Sequence, residues 1–167
     1  MSEALDGWSE FNVAMVGATA ALAGLLIVAM SVNIRTILQS PTLPARAAAS
    51  VATLVLAIVV TGLALAPEQP ARAYGVEVLV VALVAGAFEV HAIRVIRRDA
   101  TEHRGSAIEQ LAKSIAGVLP ILAYLLGAIA LVAGAPAFGL WALGVATLLA
   151  IATAILYSWV VLVEVLR

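Results

Sequence analysis

The sequence predicts an all-α membrane protein, a bundle of five transmembrane helices in a single domain spanning residues 1–167. Hydrophobic residues make up 64% of the 167 positions and charged residues only 11%, which is far from the balance of soluble domains. Long apolar runs alternate with short polar stretches, and within the runs no barrel-like alternation of polar and apolar residues occurs. In lipid such runs must be helical, because a helix satisfies its own backbone hydrogen bonds.

Length and proline positions define the individual spans. A helix needs about 20 mostly apolar residues to cross a hydrocarbon core of about 30 Å. The qualifying segments are residues 11–38, 45–66, 74–97, 111–133 and 138–163. The first two segments are expected to end before Pro41 and Pro67, because a proline inside a helix removes a backbone hydrogen-bond donor. Pro120 lies within the fourth segment and predicts a kink near Ala116.

The basic residues predict how the chain is threaded. Of the 9 Lys and Arg residues, all but Arg72 fall on the same side of the predicted spans. By the positive-inside rule that side is cytoplasmic, so the N terminus lies outside and the C terminus is cytoplasmic. Aromatic residues are then expected near both interfaces, with Trp8, Tyr74, Phe138 and Trp141 outside and Tyr157 and Trp159 inside.

Small side chains recur at helical spacing. The fifth span has one at every fourth position, at Ala142, Ala146, Ala150, Ala154 and Ser158. The first span adds Gly17 and Ala21, with Ala20 and Gly24 on an adjacent row. Small residues let helix backbones approach closely in lipid. Each stripe predicts either a seam inside the bundle or an interface between subunits.

Glu89 is the deepest acidic residue, about 7 Å inside the cytoplasmic boundary if each residue adds 1.5 Å. At helical spacing it shares a face with Ala82 and Gly86, so it should point into a packed seam. One interpretation is a structural pairing with Arg35, Arg46 or Lys113 at the inner boundary. The other is a proton- or cation-sensing site, with His91 as a further candidate because histidine titrates near neutral pH.

Polar residues also line one face of each of the first two spans. The candidates are Asn12, Thr19 and Asn33 on the first span and Ser50, Thr53 and Thr61 on the second. Hydroxyls and amides at such positions commonly join helices by hydrogen bonds. The alternative is that these faces line a narrow polar conduit in an oligomer.

A basic segment follows the third span. Arg94, Arg97, Arg98 and Arg104 are candidates for contact with anionic lipid or with a partner protein. The alternative is that these charges only set the orientation of the spans in the membrane.

Several kinds of chemistry lack the residues they need. The chain has no Cys, no glycine-rich phosphate loop and no HExxH or GxSxG motif. No catalytic, cofactor-binding or metal-binding residue is therefore predicted. We expect a protein that is not an enzyme, that has no cofactor and that binds no nucleic acid.

The first half of the chain resembles a known group of proteins. The residues that carry this resemblance are Phe11 to Leu26 with Val28 to Asn33, the loop segment Leu43-Pro44-Ala45-Arg46-Ala47 and the loop segment Leu65-Ala66-Pro67-Glu68-Gln69-Pro70. The pattern is similar to small multi-span membrane proteins found largely in actinobacteria, some of which are labelled modulators of the membrane-anchored FtsH protease. The resemblance implies a multi-pass protein of the bacterial cytoplasmic (inner) membrane with a regulatory partner.

Two functional hypotheses follow. The first is a homo-oligomer that forms a passive ion channel or pore, with the polar faces of the first two spans toward the pore. The second is a non-conducting membrane regulator or scaffold that acts on a partner such as a membrane protease. Membrane lipids are expected to contact the protein in either case.

The threading can be tested by single-cysteine labelling in intact cells, because the chain contains no Cys. We expect Ser2→Cys to react with a membrane-impermeant thiol reagent, and Ser106→Cys to react only after the cells are permeabilised. Labelling of Ser106→Cys in intact cells would contradict the predicted orientation.

Overall fold

A computed structural model describes residues 3–39, 43–99 and 107–165, and these residues form seven helices. The helices are α1 (Glu3–Asp6), α2 (Ser9–Val32), α3 (Ile34–Gln39), α4 (Leu43–Leu63), α5 (Ala71–Asp99), α6 (Ala107–Val132) and α7 (Pro136–Val165). Four of them, α2, α4, α5 and α7, are long and apolar enough to cross a membrane. The prediction of an all-helical, multi-pass protein is confirmed at this level for the part of the chain that the structure describes.

Helix α6 corresponds to the fourth predicted span. It has 26 residues, of which Gly117–Val132 form a shorter apolar stretch. The helix continues through Pro120, and the kink near Ala116 stays a prediction. The bounds of α4 to α7 each lie within a few residues of the predicted segments.

Four helices enclose the core. Helices α4, α5, α6 and α7 each pack against the next, and α7 returns to α4, which closes a four-helix ring. Helix α2 lies outside this ring and packs mainly against α4. We call one end of the bundle the α1 end, where α1, residues 64–70 and residues 133–135 lie. The other is the basic end, where α2, α5 and α7 finish and α4 and α6 begin.

The first predicted span is not one continuous helix. Helix α2 ends at Val32, and α3 begins at Ile34 after a break at Asn33. The backbone N–H of Asn33 bonds to the carbonyl of Met30 at 3.2 Å, and its side-chain amide donates to the carbonyl of Ala29 at 2.9 Å. Asparagine competes in this way with the helical hydrogen-bond ladder, so the segment predicted as one span, residues 11–38, contains a break at Asn33.

The α1 end contains a short element that the sequence did not predict. Leu5 of α1 is 6% exposed and joins the main core. Trp8 then packs edge-on against Trp141 and lies over Gly144, where a Cβ would come within 2.7 Å of the indole. Tyr74, which the sequence predicts near the outer interface, is 2% exposed and donates its hydroxyl to the carbonyl of Val60 at 3.1 Å, so its side chain faces the interior of the bundle.

The stripe of small residues on α7 packs inside the bundle. Ala146, Ala150 and Ala154 are fully or almost fully buried, while Ala142 and Ser158 at its two ends are half-buried. Ala146 and Ala150 share a core cluster with Ala57 of α4, and Ala154 shares another with Leu54. The prediction of a close-packed seam is confirmed, and the seam lies within one protomer.

Helices α6 and α7 approach each other closely at the α1 end. A Cβ on Gly127 would lie 3.0 Å from the carbonyl oxygen of Gly139, and a Cβ on Gly139 would lie 3.0 Å from that of Gly127. Each glycine therefore leaves room for the backbone of the other helix. In lipid no hydrophobic driving force brings helices together, so close van der Waals contact of this kind stabilises their association instead.

We expect Ala150→Leu to lower the free energy of unfolding by about 1–3 kcal/mol, because extra methylene groups must fit where the α7 seam is already closed. Ala152→Leu is the matched control, since Ala152 is exposed two residues away on the same helix. Thermal unfolding in detergent micelles measures both changes. Equal effects at the two positions would contradict the placement of the seam.

Candidate functional site

Glu89 lies at the centre of the most unusual polar site in the membrane-spanning part of the bundle. It is 5% exposed on α5, as its predicted face requires. One of its carboxylate oxygens occupies the space where a Cβ at Gly117 of α6 would stand. Any larger residue at Gly117 would overlap the carboxylate. The absence of a side chain on α6 thus creates the recess that holds Glu89.

Tyr157 of α7 completes this recess. Its hydroxyl oxygen would lie 2.8 Å from a Cβ at Gly117, and the hydroxyl is hydrogen-bonded to the backbone of Gly117. Glu89 and Arg46 both lie within electrostatic range of this hydroxyl. Arg46 is on the first turn of α4, so each helix of the four-helix ring contributes to the site.

A further polar group is expected beside the recess. Pro120 has no N–H, so the carbonyl of Ala116, four residues earlier, lacks its normal donor within the helix. Ala116 directly precedes Gly117. The Glu89 carboxylate, the Tyr157 hydroxyl and the Arg46 guanidinium group therefore form a polar site at Gly117, which the Ala116 carbonyl directly precedes in the chain.

This arrangement joins helices through polar contacts inside an apolar bundle. A buried carboxylate in a membrane is costly unless other groups compensate it, and hydrogen bonds from a tyrosine hydroxyl are suited to that role. The same oxygen atoms are of the kind that bind a proton or a hard cation. The geometry is consistent with a structural clasp and with a small ion-binding site.

Five of the polar candidates on the first two spans are buried in the protomer. Thr19, Ser50, Thr53 and Thr61 are buried, and each hydroxyl donates to a carbonyl one turn earlier in its own helix, at 2.6 to 3.1 Å. Asn12 is 6% exposed and lines a small gap of about 10 Å³ with Trp8 at the α1 end. These residues therefore face the interior of one protomer. Their role as a conduit stays a prediction.

The remaining candidates lie at the basic end of α5. His91 and Arg94 are exposed, on a different face from buried Glu89. Arg97 and Arg98 fall on α5, but their side chains lie outside the described part of the structure, as does the whole of Arg104. Their proposed contacts with lipid or a partner stay predictions.

Sequence reasoning missed a second polar cluster, at the α1 end. The Tyr124 hydroxyl donates to Oγ1 of Thr147 at 3.0 Å, and Thr147 donates to the carbonyl of Leu143 at 2.9 Å. The side-chain amide nitrogen of Gln69 donates to Glu77, while its amide oxygen is buried without a hydrogen-bond partner among the described residues. The sequence feature that indicates this cluster is a tyrosine within an apolar span, because a buried tyrosine hydroxyl needs a hydrogen-bond partner.

Comparisons of this chain with models of protein families, with curated proteins and with solved structures found no match.

We expect Gly117→Ala to destabilise the bundle by about 1–3 kcal/mol, since a methyl group must displace both the Glu89 carboxylate and the Tyr157 hydroxyl. Gly62→Ala on α4 is the matched control, because a Cβ there meets nothing within 4 Å. Its effect should be neutral or stabilising by up to about 1 kcal/mol through helix propensity. Unfolding in micelles measures both variants, and a neutral Gly117→Ala would show that the recess is not closed.

Proposed function

We propose that this chain is a five-span protein of a bacterial cytoplasmic membrane that acts by binding, as a self-associating scaffold or regulator. The fifth span is α6, whose 26 residues give a helix of about 39 Å, enough to cross the bilayer. The excess of basic residues at the basic end supports an outside N terminus and a cytoplasmic C terminus.

The observation that carries this proposal is the unpacked side of α2. Within its most apolar window 17% of the residues are buried, which is close to the 22% of α5 and well below the 50% of α4 and of α7. On the side away from α4, α2 exposes small residues with alternating spacings of three and four. We call this set the α2 seam, and it consists of Ala14, Gly17, Ala21 and Gly24.

The α2 seam has the geometry of a helix-packing surface. A Cβ at Gly17 or Gly24 would meet nothing within 4 Å, so these glycines serve no close contact within the protomer. Glycine is less favourable than alanine in a helix, and contact with lipid does not compensate for that lower helix propensity. Small residues in a three-four repeat do favour close approach of a second helix. A second copy of the chain can use the same surface symmetrically.

The positions of the polar residues favour binding over conduction. A channel would place the polar faces of α2 and α4 around a pore. Within the described protomer the polar residues of these faces are buried, and four of the hydroxyls are engaged with their own helices. The resemblance of the first half of the chain to proteins labelled as FtsH modulators supports a membrane-anchored protease as the first partner to test.

Association through the α2 seam predicts that Ala21→Leu will weaken self-association at least about fivefold, which corresponds to about 1 kcal/mol. Ala152→Leu is the matched control, since Ala152 is likewise exposed but lies on α7, outside the seam. Energy transfer between labelled copies in liposomes measures the dimer fraction. Equal association of wild type and both variants would remove α2 as the interface.

Ion flux separates the scaffold from the channel. Purified wild-type protein in liposomes should show no flux of monovalent cations above that of protein-free vesicles. A flux that Glu89→Gln alters without loss of assembly would contradict the scaffold and establish the channel hypothesis in its place.

A further inference from the structure

A buried amide and a carboxylate meet at the α1 end, where the chain passes from α4 to α5. Gln69 belongs to the loop of residues 64–70, yet its side chain is only 9% exposed. Its amide nitrogen donates to the carboxylate of Glu77, in the second turn of α5. Its amide oxygen is buried and has no hydrogen-bond partner in the part of the chain that the structure describes. The pair therefore has one acceptor whose partner is still to be found.

The backbone of the loop places Gln69 in this position. Glu68 has a φ of 56°, in the left-handed region that residues with a Cβ seldom adopt. Pro70 follows Gln69 and precedes the first turn of α5, where its missing N–H costs no helical hydrogen bond. The turn leaves Glu68 exposed and directs the neighbouring Gln69 into the bundle.

The unpartnered oxygen needs a particular kind of partner. A buried acceptor without a hydrogen bond is costly, and an ionised carboxylate offers acceptors only. The oxygen and the nitrogen of the Gln69 amide share one carbon, so the oxygen lies beside the carboxylate that the nitrogen contacts. Turning the amide over would set its oxygen against the Glu77 oxygens, which are also acceptors. The missing partner must therefore donate a hydrogen bond or carry positive charge, next to a carboxylate.

Tyr74 adds a third oxygen near the pair. It lies one turn before Glu77 on α5, within electrostatic range of that carboxylate. Its hydroxyl gives its hydrogen to the carbonyl of Val60 at 3.1 Å, so the lone pairs of the hydroxyl oxygen stay available. Carboxylate, amide and hydroxyl oxygens are ligands of the kind that hard cations prefer. Glu77 is only half-buried, so a cation can reach it from water.

We propose that Gln69 and Glu77 bind a monovalent metal cation of the Na⁺ type, which ties the α4–α5 loop to α5. The site involves no residue of α2, so self-association through the α2 seam does not require it.

The charge of the site favours a monovalent cation. Glu77 is its one carboxylate, and it forms no ion pair with another described residue. A single positive charge balances it, whereas a divalent cation would leave an excess charge in a half-buried place. Divalent cations are usually held by several carboxylates. Among the described residues no group of three or more His, Asp or Glu side chains is placed to hold a metal ion.

The surrounding charges also attract cations. Asp6, Glu10 and Glu68 are exposed at the α1 end, and Arg72 is the one basic residue that the structure describes there. The guanidinium group of Arg72 lies beside Gly134, in the neighbouring loop. An excess of one sign of charge raises the local concentration of the opposite ion.

Dependence on Na⁺ separates a cation from a water molecule. A water molecule also donates to a buried amide oxygen, but it does not balance the carboxylate. Thermal unfolding of the protein in uncharged micelles is compared in sodium chloride and in choline chloride at equal ionic strength. Above the dissociation constant, the unfolding midpoint should rise by about 4 °C for each tenfold increase in Na⁺, because the folded state alone binds the ion.

Substitutions locate the effect. Glu77→Gln and Gln69→Leu should each abolish the difference between the two salts. Glu68→Gln is the matched control, since it removes the same charge from the exposed residue next to Gln69 and should keep the difference. Should Gln69→Leu or Glu77→Gln fail to fold, Gln69→Asn decides the matter. It keeps the amide but shortens its reach, so at least about five times more Na⁺ should be needed for the same rise.

Three results would overturn the proposal. Equal midpoints of the wild type in the two salts would mean that a water molecule or a protein group satisfies Gln69. Loss of the difference in Glu68→Gln would assign it to the general charge of the surface. A rise with calcium chloride and none with sodium chloride would assign the site to a divalent cation.

Discussion

Close backbone contact between helices is the constraint on which this bundle depends. Lipid tails are as apolar as leucine, so helices gain no hydrophobic free energy by leaving lipid for each other. Here α6 meets α7 where Gly127 and Gly139 leave each other room, and the alanine seam of α7 closes against α4. These contacts hold the four-helix ring and fix which side chains face its interior.

The same close packing makes the buried polar groups possible. Glu89 can enter the interior because Gly117 leaves a recess on the neighbouring helix, and Tyr157 lies at its edge. The hydroxyls of α2 and α4 are hidden in a similar way, with each satisfied by its own helix. Polar residues in the spans thus support packing first, and any ion-related role of Glu89 would be added to that structural function.

Helix α2 stands apart from the ring in both packing and composition. It is held on one side by α4, exposes the α2 seam on the opposite side and borders an apolar groove next to α7. A helix that is attached to the bundle on one side only is suited to binding within the bilayer.

The sequence by itself determined the helical class, the approximate ends of α4 to α7 and the buried face of Glu89, because hydrophobic length and helical periodicity are local properties. It also identified the α7 stripe as a packing seam, although only the fold showed that α4 covers it. Tertiary structure alone decided that Asn33 interrupts the first span, that Tyr74 is buried and that Glu89 meets Gly117 and Tyr157. These outcomes depend on which helices become neighbours and on how each helix is rotated about its own axis. Both are determined by contacts between residues that are far apart in the chain.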